Sequence, residues 1–179
     1  AATVAMGVFE SHSDVGENPK AGSAEFDSAA GEYRITGGGA NIWGTQDAFH
    51  YVWRRVSGDV TVTADVRFLG VGAVAHRKAV IMVRQDLAAD SPYADVALHG
   101  DGLTSLQFRL APGGETKEIQ SPVKGPVRIR LERRGNAFTI RVGKPGEELA
   151  ASGPQTVELK DPVYVGIGVC SHDAGVLET

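Results

Sequence analysis

The sequence predicts an all-β protein, a two-sheet antiparallel β-sandwich, and three observations support this fold class. Apolar and polar residues alternate with a period of two along most of the chain. Clusters of Gly, Pro, Asn and Asp separate the alternating runs, and no stretch has the 3.6-residue apolar stripe of a helix. A chain of about a dozen short strands without helices is typical of a sandwich, ahead of a closed barrel.

The alternation predicts the individual strands. The runs with the clearest alternation are Val60–Phe68, Tyr93–His99, Leu103–Arg109, Val127–Leu131, Phe138–Val142 and Val163–Val169. Further strands are expected at Glu32–Thr36, Ala48–Arg54, Lys78–Arg84, Glu115–Gln120 and Gln155–Leu159.

The register of one hairpin can be predicted from its hydrophobic pattern. With Gly100-Asp101-Gly102 as a three-residue loop, Val96 faces Leu106, and Asp95 faces Gln107. One face is then apolar, and a one-residue slip would mix the two sets of side chains. The other face carries a row of polar and aromatic groups: Tyr93, Asp95, His99, Ser105, Gln107 and Arg109. Such a row is typical of a surface that binds a polar, hydroxyl-rich ligand.

Length and composition restrict the protein further. The chain has 179 residues and a formal net charge of −4 with no basic block. One domain over residues 1–179 is expected, and the charge disfavours nucleic acid or an anionic membrane as a partner. No apolar run reaches the roughly 20 residues of a membrane-spanning helix. Because Cys170 is the only cysteine, the chain has no internal disulfide.

Other segments add candidate binding residues. Trp43 lies in a Gly-rich stretch and is suited to stack on a sugar ring, whereas Phe49, Tyr51 and Trp53 are interpreted as core. We expect His50, His76 and Arg84 to converge with the polar face of the hairpin on one concave surface. The oxygen-rich loop of residues 10–16 supplies Asp14, which could hold calcium together with Asn18 or Asp101. No motif for a zinc protease, a phosphate-binding loop or a serine hydrolase is present.

The chain resembles a bacterial domain of unknown function in the concanavalin A-like lectin/glucanase superfamily, of the regulation-of-enolase-like group found attached to TolB-like propeller proteins and exported enzymes. The segments that carry the resemblance span most of the chain: residues 12–16, 41–44, 49–53, 76–78, 91–95, 99–109, 131–135 and 164–166. The resemblance implies a two-sheet jelly roll whose concave sheet binds saccharide. It also implies a periplasmic or extracellular protein, or one module of a longer exported chain.

The leading functional interpretation is a non-catalytic carbohydrate-binding module that recognises a polysaccharide or oligosaccharide. Its expected ligand-binding residues are Trp43, His50, His76, Arg84, Tyr93, Asp95, His99, Gln107 and Arg109. One alternative is a glycoside hydrolase or polysaccharide lyase on the same fold, with His99, Asp95 and His50 as candidate catalytic residues. The other is a structural interaction domain that docks against a neighbouring module. No cofactor is expected, with calcium left open.

Overall fold

The computed structural model describes residues 5–70, 72 and 74–179, and these residues form strands and turns but no α-helix. In this part of the chain there is accordingly no long apolar helix of the kind that spans a membrane. The strands are β1 (Ser11–Val15), β2 (Ser23–Asp27), β3 (Glu32–Thr36), β4 (Ile42–Trp43), β5 (Gln46–Asp47), β6 (Phe49–Val56), β7 (Val60–Asp65), β8 (Lys78–Arg84), β9 (Tyr93–His99), β10 (Thr104–Arg109), β11 (Lys117–Gln120), β12 (Arg128–Arg134), β13 (Ala137–Gly143), β14 (Ala150–Thr156) and β15 (Val163–Cys170).

Two sheets form the body of the domain, and every strand pair is antiparallel. The large sheet has seven strands in the order β1-β6-β15-β8-β9-β10-β11, and the small sheet has four in the order β14-β13-β12-β7. The inner face of the large sheet packs on the small sheet, so that Ile81 and Leu106 share one core with Leu131 and Ile140. The predicted all-β architecture with two packed antiparallel sheets is therefore confirmed.

Two hairpins cover the parts of the large sheet that the small sheet leaves open. The β2–β3 hairpin lies on the inner face, where Ile35 packs with Val52 and Val169. The β4–β5 hairpin lies on the opposite, outer face, where Ile42 packs in a cluster with Val80, Met82 and Ala97. We call residues 40–48, which contain β4 and β5, the covering loop.

The hairpin of β9 and β10 has the predicted register. Val96 is paired with Leu106, Asp95 with Gln107, and Tyr93 with Arg109. The apolar residues of this hairpin, Ala94, Val96, Leu106 and Phe108, belong to the core between the sheets. The hydrophobic pattern therefore selected both the register and the buried face.

Several strands differ from the sequence prediction: β4 and β5 were not predicted, and β7 ends at Asp65 rather than at Phe68. β1 and β2 were not predicted because their residues are mostly polar, and Ser11–Val15, interpreted as a loop, pairs with β6 at the edge of the large sheet. β14 ends at Thr156 and includes Pro154, which an edge strand tolerates because one side of its backbone needs no partner. The strand predicted at Gln155–Leu159 rested on the alternation of Val157 and Leu159. Both residues lie beyond the end of β14 and are buried in the core.

We predict that the core between the sheets provides much of the stability of the domain. Leu131 is 1% exposed, so Leu131→Ala leaves a cavity and should lower the free energy of unfolding by about 2–5 kcal/mol in urea titrations. Val127→Ala is the control, because Val127 is 43% exposed and should change that free energy by less than about 0.5 kcal/mol. Equal losses in the two variants would contradict this assignment of the core.

Candidate functional site on the outer face of the large sheet

The outer face of the large sheet carries polar side chains from three adjacent strands. Strand alternation places the paired Asp95 and Gln107 on this face, and Ser105 lies two residues before Gln107 on the same side. Lys78 on β8 is the partner of His99 on β9. We call Lys78, Asp95, His99, Ser105 and Gln107 the polar cluster, and none of the five is more than 4% exposed.

The covering loop lies over this face and is held there by Lys78. The Lys78 ammonium donates to Asn41 Oδ1 at 2.8 Å and to the Ile42 carbonyl at 2.9 Å. Its Nζ lies 5.4 Å from the centre of the Trp43 ring, within cation–π distance. Trp43 is 37% exposed, so its indole lies at the rim of the face.

Asp47, at the end of the covering loop, binds two buried arginines. Its Oδ2 accepts hydrogen bonds from Arg84 Nη1 and Arg109 Nη1, each at 2.7 Å, and its Oδ1 accepts one from Arg109 Nη2 at 2.9 Å. All three side chains are 0% exposed. Further guanidinium N–H groups donate to the backbone carbonyls of Trp43, Gly44, Ala88, Ala89, Ser91 and Gly114. We call this arrangement the Asp47 clasp.

The Asp47 clasp corrects the expected role of two arginines. Arg84 and Arg109 do lie on the polar face, but their guanidinium groups are engaged within the fold. Tyr93 is also fully buried between them, with its hydroxyl 3.2 Å from Thr116 Oγ1 and its ring under both guanidinium groups. The sequence did not reveal this because Asp47 lies far from both arginines along the chain. We therefore leave these three residues out of the candidate site.

The polar cluster, in contrast, contains buried atoms without hydrogen-bond partners. Asp95 Oδ1, Asp95 Oδ2, Ser105 Oγ and Gln107 Oε1 are all buried, and none is paired with another described residue. Burial raises the pKa of Asp95 well above its usual range, although the nearby Lys78 charge opposes the effect. Burial disfavours the charged form of Lys78 as well, and therefore lowers the pKa of its ammonium group. Most buried polar groups in proteins are paired, so this set is a place where hydrogen-bond capacity is unused within the described residues.

His99 is the titratable group at the edge of the cluster. Its Nδ1 lies 3.0 Å from the Leu103 carbonyl, which only accepts, so Nδ1 carries the proton and Nε2 is left as an acceptor. Burial, with the Lys78 charge adding to it, lowers the pKa of His99 to about 4. The imidazole is therefore neutral at pH 7.

His76 lies close to His99, and His172 lies close to His76. The His76 ring is 5.9 Å from that of His99 and 5.9 Å from that of His172. His76 belongs to an exposed turn, so it lies outside the buried cluster and at its border. No set of three or more His, Cys, Asp or Glu residues within 5–70, 72 and 74–179 is arranged to hold a metal ion.

His50 lies on the other side of the sheet, so the expectation of one shared surface is wrong for this residue. Its Nδ1 is 2.7 Å from Asp14 Oδ1, and its Nε2 is 2.9 Å from His12 Nδ1. These partners come from β1, on the inner face near the β2–β3 hairpin. Strand alternation gives the physical reason, because the outer-face positions of β6 are occupied by Phe49, Tyr51 and Trp53.

Two of the three calcium candidates, Asp14 and Asp101, are not brought together. Asp14 lies on the edge strand β1, and Asp101 lies in the turn between β9 and β10, with β6, β15 and β8 between them. The Asp14 carboxylate already accepts from His50 and from the Gly22 N–H, and Asp101 accepts from the Leu103 N–H. Asn18 uses its amide to donate to the Val15 carbonyl.

Four residues that shape the site were not among the expected ligand-binding residues, although Ser105 was placed on the polar face of the hairpin. Lys78, Ser105 and Glu118 all lie on the outer face, and Glu118 is paired with Gln107 across β10 and β11. All three lie at alternate positions of predicted strands, and this alternation was sufficient to predict their position on the outer face. Asp47 had no such signal, because its partners come from distant strands.

Comparisons with known proteins give a fold but no family. No family model matches the chain, and no curated protein does. Among solved structures, the chain is similar to the crystal structure of a functionally unknown protein from Saccharomyces cerevisiae, with a TM-score of 0.67 and 17% sequence identity. The match covers 93% of this chain and 90% of the yeast chain. At this identity the likeness is one of fold alone.

We predict that the Asp47 clasp is the most stabilising ionic interaction of the outer face. Asp47→Ala leaves two buried guanidinium charges without a counterion and should lower the free energy of unfolding by about 3–5 kcal/mol. Asp65→Ala is the control, since its partner Arg128 is exposed and such surface pairs contribute little. Urea unfolding of both variants tests this, and a loss in Asp47→Ala no larger than in Asp65→Ala would refute it.

We also predict a pH dependence that originates at His99. Because its pKa is about 4 in the fold and near 6.5 in the unfolded chain, the unfolded chain binds more protons between these values. His99 should therefore reduce the free energy of unfolding as the pH falls from 6.5 towards 4, and should have no such effect above pH 7.

The variant His99→Gln, which does not titrate, isolates this contribution. Between pH 7 and pH 4.5 the wild-type protein should lose about 2 kcal/mol more unfolding free energy than the variant. Urea titrations at the two pH values measure the difference. Identical losses would mean that His99 titrates normally in the fold.

Proposed function

We propose that the domain binds a neutral saccharide at the polar cluster, beside Trp43. The observation that carries the proposal is the set of four buried, unpartnered atoms on Asp95, Ser105 and Gln107. They lie on two paired strands, within reach of one small ligand. A rigid sheet holds these side chains in place, so little conformational entropy is lost when a ligand binds.

The chemistry of these atoms favours hydroxyl groups over charged ligands. The carboxyl oxygens of Asp95 and the amide oxygen of Gln107 accept hydrogen bonds, and Ser105 both accepts and donates. An acidic sugar would bring its carboxylate against unpartnered acceptors, and a cationic ligand would lie close to the Lys78 ammonium. A sugar hydroxyl donates to the acceptors without adding a charge. This favours a neutral sugar. A uronate would have been suited to Arg84 and Arg109 only if their guanidinium groups were free to bind its carboxylate.

The polar cluster continues toward solvent along two cross-strand rows. One row runs from Asp95 through Gln107 to Glu118, and the other runs from Ser105 to Gln120. Glu118 is half-buried and Gln120 is exposed, so polar groups lead from the buried atoms to the open edge of β11. We propose that a ligand enters along this edge, while the Asp47 clasp holds the backbone of Trp43 and Gly44 in place.

The runner-up proposal is a glycoside hydrolase at the same site. Burial raises the pKa of Asp95, the direction that a general acid needs, and Glu118 lies two strands away in the same row. Adjacent strands are about 4.8 Å apart, so the two Cα atoms are roughly 9–10 Å apart. His99 is at the border of this pair, whereas His50 lies on the other face and has no part in it.

The resemblance noted in the sequence supports two broader proposals. We propose that the two packed sheets are a jelly roll of the concanavalin A-like type. In this proposal the saccharide site lies on the outer face of the large sheet. We also propose an exported location, in the periplasm or outside the cell, as a module that acts together with other domains. Fold by itself does not assign a function, so the binding experiment decides.

We predict that the purified domain binds a neutral glycan on an array, and that binding depends on the unpartnered atoms. Ser105→Ala and Gln107→Met should each weaken binding about tenfold, since each removes a directional hydrogen bond. Both variants should melt at or above the wild-type temperature, because an unpartnered buried polar group is replaced by an apolar one. A residue with only a structural role would instead lower the melting temperature.

Lys144→Ala serves as the matched control, since Lys144 is exposed and distant in sequence from the cluster. It should bind like the wild-type protein. No glycan bound, or equal weakening in Lys144→Ala and Gln107→Met, would reject the saccharide site. Release of reducing sugar that is lost in Asp95→Asn and kept in Lys144→Ala would replace the binding module with the hydrolase.

A further inference from the structure

The second layer of the sandwich has a gap on the inner face of the large sheet. The β2–β3 hairpin covers β6 and one side of β15, and the small sheet covers β8, β9 and β10. Between β3 and β7 lies a cleft of about 760 Å³. Its floor is formed by Ala79, Ile167 and Val169 of the large sheet.

Both sides of this cleft are strand edges without a pairing strand. Across the described part of the chain, β7 is paired with β12 alone, and Glu32–Thr36 of β3 is paired with β2 alone. The cleft follows β7 and its continuation over residues 62–69, and it follows β3 over residues 31–35. Free strand edges present backbone N–H and C=O groups that are ready to pair with another strand.

One end of the cleft already has the geometry of an inserted strand. Glu178 forms an antiparallel bridge with Gly37, just beyond β3, through two hydrogen bonds of 2.9 Å. On the other side, the Leu69 N–H donates to the Thr179 carbonyl at 2.9 Å. Extended backbone at this point therefore bonds to the β3 side and to the β7 side together. A strand in line with Glu178 and Thr179 would occupy the cleft, antiparallel to β3.

We propose that this cleft is a docking site for an extended segment of a partner polypeptide, which binds by strand addition between β3 and β7. Main-chain hydrogen bonds to both edges would supply affinity, and pockets for alternate side chains would supply specificity. The added strand would close the gap between the hairpin and the small sheet. The site lies on the opposite side of the large sheet from the polar cluster.

The lining of the cleft determines the chemistry of the partner segment. Inward-facing positions meet apolar groups, including Val62, Tyr33 and Ile167, so every second residue of the segment should be apolar. Asp65 is paired with Arg128, and the other acidic residues around the cleft still outnumber the basic ones, with Glu25, Asp27 and Glu32 against Arg34 and Arg67. The outward positions of the segment should therefore be threonine or lysine, with lysine complementing the charge.

Hydrogen exchange with a defined peptide tests this proposal. The probe is the blocked heptapeptide Lys-Val-Thr-Val-Lys-Val-Thr, added to the full 179-residue chain. We expect amide exchange in residues 60–69 and 32–36 to slow at least tenfold, with no change in two edge strands outside the cleft, β11 and β14. The same peptide N-methylated at alternate residues, which cannot form the main-chain bonds, should give no protection.

Two variants of neighbouring residues on β7 provide matched controls. Ala64 is partly buried on the core side of β7, whereas Thr63, which also borders the cleft, is exposed with its hydroxyl bonded to Arg130 on the opposite face of the small sheet. Ala64→Trp should fill the cleft and abolish the protection, whereas Thr63→Trp should keep it. The peptide experiment on the unmodified chain stands by itself if Ala64→Trp does not fold.

Three results would overturn the proposal. The first is the absence of protection at β7 with millimolar peptide. The second is equal protection by the N-methylated peptide, or equal protection of β14, because either would show non-specific association. The third is a dimer of the chain without peptide, with β7 protected, because the occupant would then be a second copy.

Discussion

The outer face of the large sheet depends on one carboxylate, that of Asp47, which two buried arginines share. Two guanidinium groups and one carboxylate leave an excess positive charge in a place without solvent, and the backbone carbonyls around Arg84 and Arg109 offset it. The interaction fixes the covering loop against the sheet. It therefore decides which polar residues of the face are sealed and which keep unused hydrogen-bond capacity.

The Asp47 clasp divides the outer face into two halves, which differ in how completely their polar groups are paired. Around Arg84 and Arg109, nearly every polar group has a partner within the fold, which is typical of a structural network. Around Asp95, the carboxyl, hydroxyl and amide oxygens have none. Unpaired buried groups reduce stability, and their presence beside the partly exposed Trp43 is the support for the ligand site that we propose.

The two faces of the large sheet have separate roles in our account. The outer face carries the saccharide site proposed from the polar cluster, and the inner face carries the core and the cleft between β3 and β7. Alternate residues of each strand in the seven-stranded sheet point to opposite faces, so different residues form the two proposed sites. A binding function and a docking function are therefore compatible in one small domain.

The sequence by itself determined the all-β class, the register of β9 and β10, and the face on which Asp95, His99 and Gln107 lie. These features are local: a period of two and one turn specify them. The tertiary structure alone decided that Asp47 reaches Arg84 and Arg109, that His50 faces the other way from the polar cluster, and that the second layer has a gap. Each of these depends on which distant strands become neighbours and which loop covers them, and strand alternation carries no information about either.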